Sequence, residues 1–442
     1  MMLRVITMAV LAVCLSTAGS AQEATQATAE ALKVTPDHAT GVYAVREPVG
    51  WTFAASGSAA RRYTYAVREN NKRELLSGEL DLSSGEGRIT TELNHPGMLL
   101  VRLTPTLPTP LLSTAVRNKL TIGAAVAPER IRPGEAEPED FDAFWSRKLK
   151  AQAAVPLNAT ETPVEATTAG IEMSSVTFDA LGSKAHGYLA KPSGPGKYPA
   201  LIIFQYAGVY KLPKSESAKR AKEGWLVLNI QAHDMAPDEA TAPSDYFLRG
   251  NRSRETSYFL GMYLRASRAV DYLRSRPEWD GRTIVVTGAS QGGQQSFAAA
   301  GLNPGKITAV VVIVPAGADI TGDRYGRRQG YPSWTSTDPA VVQTGRYFDI
   351  INFAPRIRAP TVAAVGLADI VAPPAGIVTA VNRIKAPKEA VLMVEADHTL
   401  NHINGNRRVD EALAELRRMG RLTIKKSWGG TAKVKVDATP HR

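Results

Sequence analysis

The chain has 442 residues, 44% of them hydrophobic and 21% charged, with a formal net charge of +11 and a single cysteine. That length predicts two domains, each large enough to bury a core of its own. The cysteine, Cys14, falls inside an N-terminal export signal, so the mature chain carries no thiol, which excludes a disulfide framework, cysteine catalysis and a cysteine-ligated metal.

Arg4, the apolar run at 5–15 and the small residues Gly19 and Ala21 predict a secretory signal over residues 1–21, cleaved after Ala21. The run is shorter than the about 20 apolar residues a membrane span needs, and no later segment is apolar enough to cross one. The protein is therefore expected to be secreted or periplasmic. Leu11-Ala12-Val13-Cys14 resembles a lipoprotein box with a bulky Val13, which leaves lipidation as the minor alternative. Residues 22–36 are rich in Ala, Thr, Gln and Glu without a period and read as a loose leader.

From 41 to 104 the texture is one of short alternating runs, at 42–45, 51–54, 62–67, 79–82, 88–93 and 98–103, parted by Gly, Asn, Ser and Pro turns. This rhythm predicts a small antiparallel, Ig-like β-sandwich domain over residues 37–125, acting as a packing or substrate-presenting module because no catalytic constellation lies in it. Pro105, Pro108 and Pro110 mark a stiff crossing. Acids at Glu139, Asp140 and Asp142, with Phe141, Phe144 and Trp145 on one face, then predict the helix that opens a second domain, residues 138–420.

Beyond that helix the apolar runs become continuous, at 173–178, 186–190, 200–204, 225–230, 284–286, 308–314, 361–365 and 390–394. Several alternate with helical stretches, most clearly 259–273, where Phe259, Met262, Tyr263, Ala266, Ala269, Val270 and Leu273 repeat at three and four. The pattern is that of an α/β domain, a mostly parallel sheet with helices on both faces. Two long polar connections, 232–256 and 317–346, carry Tyr246, Phe247, Tyr325, Tyr331 and Trp334 and are expected to act as lids or interface arms near the active site. The C-terminal end, including a tail at 421–442, is basic, with Arg417, Arg418, Arg421, Lys425 and Lys426 among its charges. Without aromatic interleaving or a nucleic-acid motif this reads as a solvated face, and nucleic acid is not an expected partner.

The chemistry gathers at residues 283–296, where the β-branched run ends in Gly288-Ala289-Ser290-Gln291-Gly292 and the chain turns helical. G-x-S-x-G recurs by chance in about one chain in seven of this length. Strand, turn and helix in the required order are what make it a nucleophile elbow, lifting the Ser290 hydroxyl out of the sheet edge, with Gly288 and Gly292 small so that the turn closes. In such a sheet an acid and then a histidine follow the nucleophile, each after a later strand. Of the histidines left, His398 follows the run at 390–394 by a short turn, His402 lies further on and His441 is in the tail, so His398 is the expected base. Asp369 follows the run at 361–366 and is the expected acid, while Asp349 and Asp397 read as solvated or helix-capping. Two preset donors must face the oxyanion: the N–H of Gln291 and one from the loop 205–208, with Tyr206 preferred.

Gly288-Ala289-Ser290-Gln291-Gly292-Gly293, the segment 275–282 before it, Val314-Pro315-Ala316, Asp369-Ile370-Val371-Ala372-Pro373-Pro374 and Pro387-Lys388-Glu389 together resemble the acetyl xylan esterase and cephalosporin C deacetylase family over about residues 141–418. The resemblance implies an α/β-hydrolase fold and a serine esterase that removes acetyl groups from hydroxyls of sugars or related small molecules, with neither cofactor nor metal. By position it implies Ser290 as nucleophile, Asp369 as acid, His398 as base, Gln291 and Tyr206 as oxyanion donors, and a homo-oligomer. The chain departs from the family at Gln231-Ala232-His233-Asp234, Phe204-Gln205-Tyr206 and Asp397-His398-Thr399. A peptidase of the same fold and a non-catalytic glycan-binding protein are the alternatives.

Overall fold

The computed structural model describes residues 32–56, 61–106, 121–334 and 337–425 and the backbone of Val434–Val436. The expected signal with Cys14, the residues Pro108 and Pro110, His441 and most of the basic tail lie outside these residues. Among the described residues, no helix is long and apolar enough to cross a membrane.

Among the described residues, eight strands come first: β1 (Leu32–Pro36), β2 (Val42–Tyr43), β3 (Val49–Ala55), β4 (Arg62–Glu69), β5 (Arg73–Asp81), β6 (Glu86–Thr91), β7 (Gly97–Pro105) and β8 (Thr121–Val126). They form a three-stranded sheet, β1-β3-β6, facing a five-stranded one, β2-β8-β7-β4-β5. Trp51, Phe53, Ile89, Val67, Val101, Leu103 and Ile122 fill the space between, as alternation along each strand dictates. Two expectations change. Leu32–Pro36, read as a loose leader, pairs antiparallel with β3 from Leu32↔Ala55 to Pro36↔Trp51, and its alternate residues Leu32 and Val34 pack on the sandwich core, a signal too short to stand out in the sequence. The prolines do not mark the crossing between domains either: Pro105 ends β7, and β8 then returns to pair with β7, so the chain leaves the sandwich after Val126.

Nine further strands form one sheet among the described residues, in the order β17-β16-β15-β14-β12-β13-β11-β10-β9. Their ranges are β9 (Thr160–Pro163), β10 (Ile171–Ala180), β11 (Ser183–Pro192), β12 (Tyr198–Phe204), β13 (Leu226–Ile230), β14 (Trp279–Ala289), β15 (Ala309–Ile313), β16 (Thr361–Gly366) and β17 (Lys388–Met393). From β13 to β17 every pairing is parallel, and β9, β10 and β11 are the antiparallel edge. The exposed Thr160–Pro163 carries no apolar signal, which is why sequence counts one strand fewer.

The helices are α1 (Phe141–Ala153), α2 (Lys214–Lys222), α3 (Tyr258–Arg274), α4 (Gln291–Leu302), α5 (Pro339–Phe348), α6 (Ile350–Phe353), α7 (Pro374–Arg383) and α8 (Ile403–Met419). One sheet face packs Ile202, Leu228, Val286, Val312 and Ala363 against α3, α4 and α7. The other packs Leu201, Val227, Val285, Val311 and Val362 against α2 and α8. A strand buried on both faces has no polar side to show, and all five residues of β13 are buried. The parallel strands all point their carboxyl ends the same way, so the loops after β12, β14, β16 and β17 meet at one edge.

Candidate active site

β14 ends in Ala289, and α4 begins at Gln291, so Ser290 alone makes the turn, with φ 54° and ψ −121°. A non-glycine residue held there costs about 1–3 kcal/mol, offset by the surrounding structure. Ser290 donates its N–H to Ile313 at 3.1 Å, and its carbonyl accepts from Ala316 at 2.9 Å and Gln294 at 3.0 Å. A Cβ on Gly288 would lie 2.5 Å from the carbonyl carbon of Gly292, and one on Gly292 would overlap the carbonyl oxygen of Phe204. Both glycines are therefore required by space.

The loops after β16 and β17 bring two further side chains to this turn. His398 Nε2 lies 2.8 Å from Ser290 Oγ, and His398 Nδ1 lies 2.7 Å from Asp369 Oδ2. Asp369 is fully buried, whereas the His398 side chain retains 18% of its exposure and Ser290 is half-buried, so solvent access grows from Asp369 to Ser290. Burying a carboxylate costs several kcal/mol. The second oxygen, Oδ1, accepts the N–H groups of Val371 and Ala372, each at 2.8 Å, and charge-assisted bonds of this kind contribute about 1.5–3 kcal/mol apiece. They offset the burial and fix which oxygen faces His398.

The rival residues stand elsewhere. Asp349 caps α6 through Ile351 and is buried rather than solvated, and burial beside Asp319 pushes its carboxyl up to about 7. Asp397 accepts from the N–H groups of Thr399 and Leu400 at 2.7 Å each and shapes the turn that carries His398. His402 Nε2 donates to the carbonyl of Asp397 at 2.7 Å, tying down the same turn.

Residues 129–410 match the acetyl xylan esterase (AXE1) family. Acetyl esterase Axe7A of Xylanibacter ruminicola is 31% identical over 386 residues, covering 82% of this chain and 85% of that protein. The chain belongs to the acetyl xylan esterase family. Among solved structures, the acetyl xylan esterase from Paenibacillus sp. R4 superposes with a TM-score of 0.58 at 27% identity, covering 66% of this chain and 98% of that one. Acetyl Xylan Esterase 1 from Thermoanaerobacterium sp. JW/SL YS485 gives 0.57 at 23%, with coverage of 65% and 97%, a likeness of fold. As a member of the family the chain is a carboxylic-ester hydrolase of the serine esterase type with an α/β-hydrolase fold.

In this esterase the two oxyanion candidates differ in surroundings. Gln291 is buried at the start of α4, where the first N–H groups of a helix have no partner within it and the helix dipole favours negative charge. Tyr206 is 52% exposed, with its ring stacked on Tyr210 at 4.5 Å. The N–H of Gln291 has no backbone acceptor among the described residues, whereas the backbone of Tyr206 lies within hydrogen-bonding reach of the Tyr210 hydroxyl.

The loop after β12 is held from several sides. Gln205 accepts the N–H of Ala232 at 2.8 Å through Oε1, and its carbonyl accepts Gln295 Nε2 at 2.8 Å. The N–H of Gly208 donates to the Tyr246 hydroxyl at 3.2 Å, and its carbonyl accepts His233 Nε2 at 3.0 Å. Donors fixed in this way need no reorganisation when charge develops.

Sequence reasoning did not foresee what the two long connections do. Tyr246 and Tyr331, one from each, both donate their hydroxyls to Gln291 Oε1, at 2.7 and 2.6 Å. Burial pushes both hydroxyls up, which keeps them protonated donors. Trp334 is buried with its ring 5.4 Å from Phe259, and Tyr325 stays exposed, so the second connection is a packed wall ending in α5 rather than an open arm. The available signal was aromatic residues in otherwise polar stretches; which group they would meet was not legible. Among the described residues no group of three or more His, Cys, Asp or Glu side chains is arranged to hold a metal ion.

His233 accepts from the Tyr258 hydroxyl at Nδ1, 2.9 Å, and is buried; burial, aided by Arg265, pushes its imidazole down to about 4. Between that value and the ordinary 6.5 the unfolded chain binds a proton that the folded chain does not, so stability falls as pH drops through this window. The melting temperature of wild type is therefore expected to drop more between pH 7 and pH 5 than that of His233→Gln, which keeps a donor toward Gly208. Equal drops would show that another group controls the acid limb.

Proposed function

We propose that the protein is an exported serine esterase that removes acetyl groups from acetylated xylan, oligosaccharides or related small acetyl esters through an acetyl-enzyme. The observation that carries this reading is the continuous line from Ser290 Oγ through His398, at 2.8 Å and then 2.7 Å, to a buried Asp369 carboxylate. Ser290 Oγ attacks the acetyl carbonyl carbon as its proton passes to His398 Nε2. The oxyanion faces the N–H groups of Gln291 and Tyr206. Collapse breaks the ester C–O bond, and the proton on His398 goes to the departing sugar oxygen. Water then attacks the acetyl carbon, gives its proton to His398, and the second collapse returns a proton to Ser290 and releases acetate. Asp369 holds the imidazole in the tautomer with Nδ1–H and stabilises the cation formed in each half.

Acetyl-ester hydrolysis is supported by the name of the relative at 31% identity, the acetylated-xylan substrate by the names of the family and of the solved structure at 27% identity, and export by the apolar signal at 1–21. The test measures acetate release from acetylated xylan, acetylated monosaccharides and cephalosporin C, with an aminoacyl anilide as counter-substrate and a fluorophosphonate label on Ser290. Acetate release with labelling is expected. Anilide cleavage without acetate release would indicate a peptidase, and absence of both turnover and label a glycan-binding protein.

A further inference from the structure

The sandwich abuts the two loops that carry Asp369 and His398. β16 and β17 end side by side, with the N–H of Leu367 donating to Met393 at 2.9 Å and that of Ala368 to Ala396 at 3.0 Å. Against this edge lies β8: the N–H of Gly123 donates to the carbonyl of Val394 at 2.8 Å, and a Cβ there would lie 2.5 Å from the carbonyl carbon of Leu367. Gly41, at φ 68°, leaves no room for a Cβ beside Val394. Met98 and Ala125, on the outer face of β7 and β8, are buried in the core of the larger sheet. The five-stranded sheet is thus packed onto the main chain just before Asp369 and just before His398.

The nearest contact comes from the turn between β4 and β5. Lys72 donates its N–H to Glu69 at 2.9 Å, and the central residues Asn70 and Asn71 have φ of 49° and 57°, a hairpin turn whose left-handed pair favours Asn and Gly. The Asn71 side chain points inward, is 5% exposed, and donates from Nδ2 to the main-chain carbonyl of Asp369 at 2.7 Å. The sense of the amide is fixed, since a carbonyl only accepts. Its Oδ1 is buried without a partner among the described residues, an arrangement that costs about 1–3 kcal/mol and that the turn itself does not require. Arg328 reinforces the same junction, its N–H donating to Asn70 at 3.0 Å and its Nε to the carbonyl of Ile370 at 2.8 Å.

We propose that the N-terminal sandwich is a working part of the active site and that Asn71 is a positioning residue, holding the main chain of Asp369 so that its carboxylate meets His398. The proposal rests on the reading of Asp369 as the acid. Asn71→Gly keeps the left-handed turn and removes the donor; Asn71→Asp keeps the turn and the shape and also removes it. In both, kcat for 4-nitrophenyl acetate, per site titrated with fluorophosphonate, is expected to fall about 3- to 30-fold while KM stays within about twofold, because substrate contacts are untouched and alignment is not. A purely structural residue would lower the number of titratable sites and leave kcat per site unchanged. That result in both variants, or failure of both to fold, overturns the proposal. Ser290→Ala run alongside separates the two readings: turnover persisting there removes the serine esterase reading itself, whereas an inactive Ser290→Ala with normal Asn71 variants removes only the role of Asn71.

Discussion

Ser290→Ala is expected to leave a folded protein whose turnover of 4-nitrophenyl acetate falls by at least about 10⁴-fold, the scale on which serine hydrolases lose activity when the nucleophile is removed. Folding should survive because the Ser290 backbone, not its hydroxyl, makes the bonds to Ile313, Ala316 and Gln294. Alanine at φ 54° adds no atom beyond the Cβ already accommodated there. The residual rate should be that of the oxyanion donors and binding alone. Circular dichroism and the melting temperature report the fold, and single-turnover assays the chemistry. Retention of more than about a hundredth of wild-type kcat would place the nucleophile elsewhere.

Asp369→Asn is the second large effect, an expected fall in kcat of about 10⁴-fold with little loss of stability. The N–H groups of Val371 and Ala372 both point at Oδ1 and demand an acceptor, so the amide oxygen of the variant takes that place. Its NH₂ is then forced toward His398 Nδ1, where Oδ2 stood at 2.7 Å. The imidazole must accept at Nδ1 and carry its proton on Nε2, the tautomer that cannot take a proton from Ser290. A fall of less than about tenfold would show that Asp369 is not the partner that sets the tautomer.

The parts of the site legible in sequence were those where local chemistry leaves one solution. Gly288 and Gly292 flank Ser290 because any Cβ would strike Gly292 or Phe204, and that restriction shows in the letters themselves. The runs before Asp369 and His398 are apolar because β16 lies within the sheet and the edge strand β17 packs Ala390 and Val391 into the two core layers, so candidates for acid and base could be sought just after them. What escaped had no local signature. Thr160–Pro163 is an exposed edge strand specified by its partner rather than by hydrophobicity, and Leu32–Pro36 offers the core only Leu32 and Val34. Tyr246 and Tyr331 lie 45 and 40 positions from Gln291, His233 lies 25 from Gly208, and Asn71 lies 298 from Asp369. Nothing in the residues around them says which group they will meet.

The sequence by itself determined the strand-turn-helix at Ser290, the place of Asp369 and His398 after later strands, and the division into a strand-rich segment and an α/β segment, because periodicity and glycine spacing are properties of neighbouring residues. Only the tertiary structure decided that two polar connections converge on Gln291 and that a hairpin of the small sheets reaches the carbonyl of Asp369. Those contacts arise when the carboxyl ends of parallel strands are brought to one edge and other elements pack over it, and a hydrogen bond across that distance in sequence is specified by the packing of every layer between.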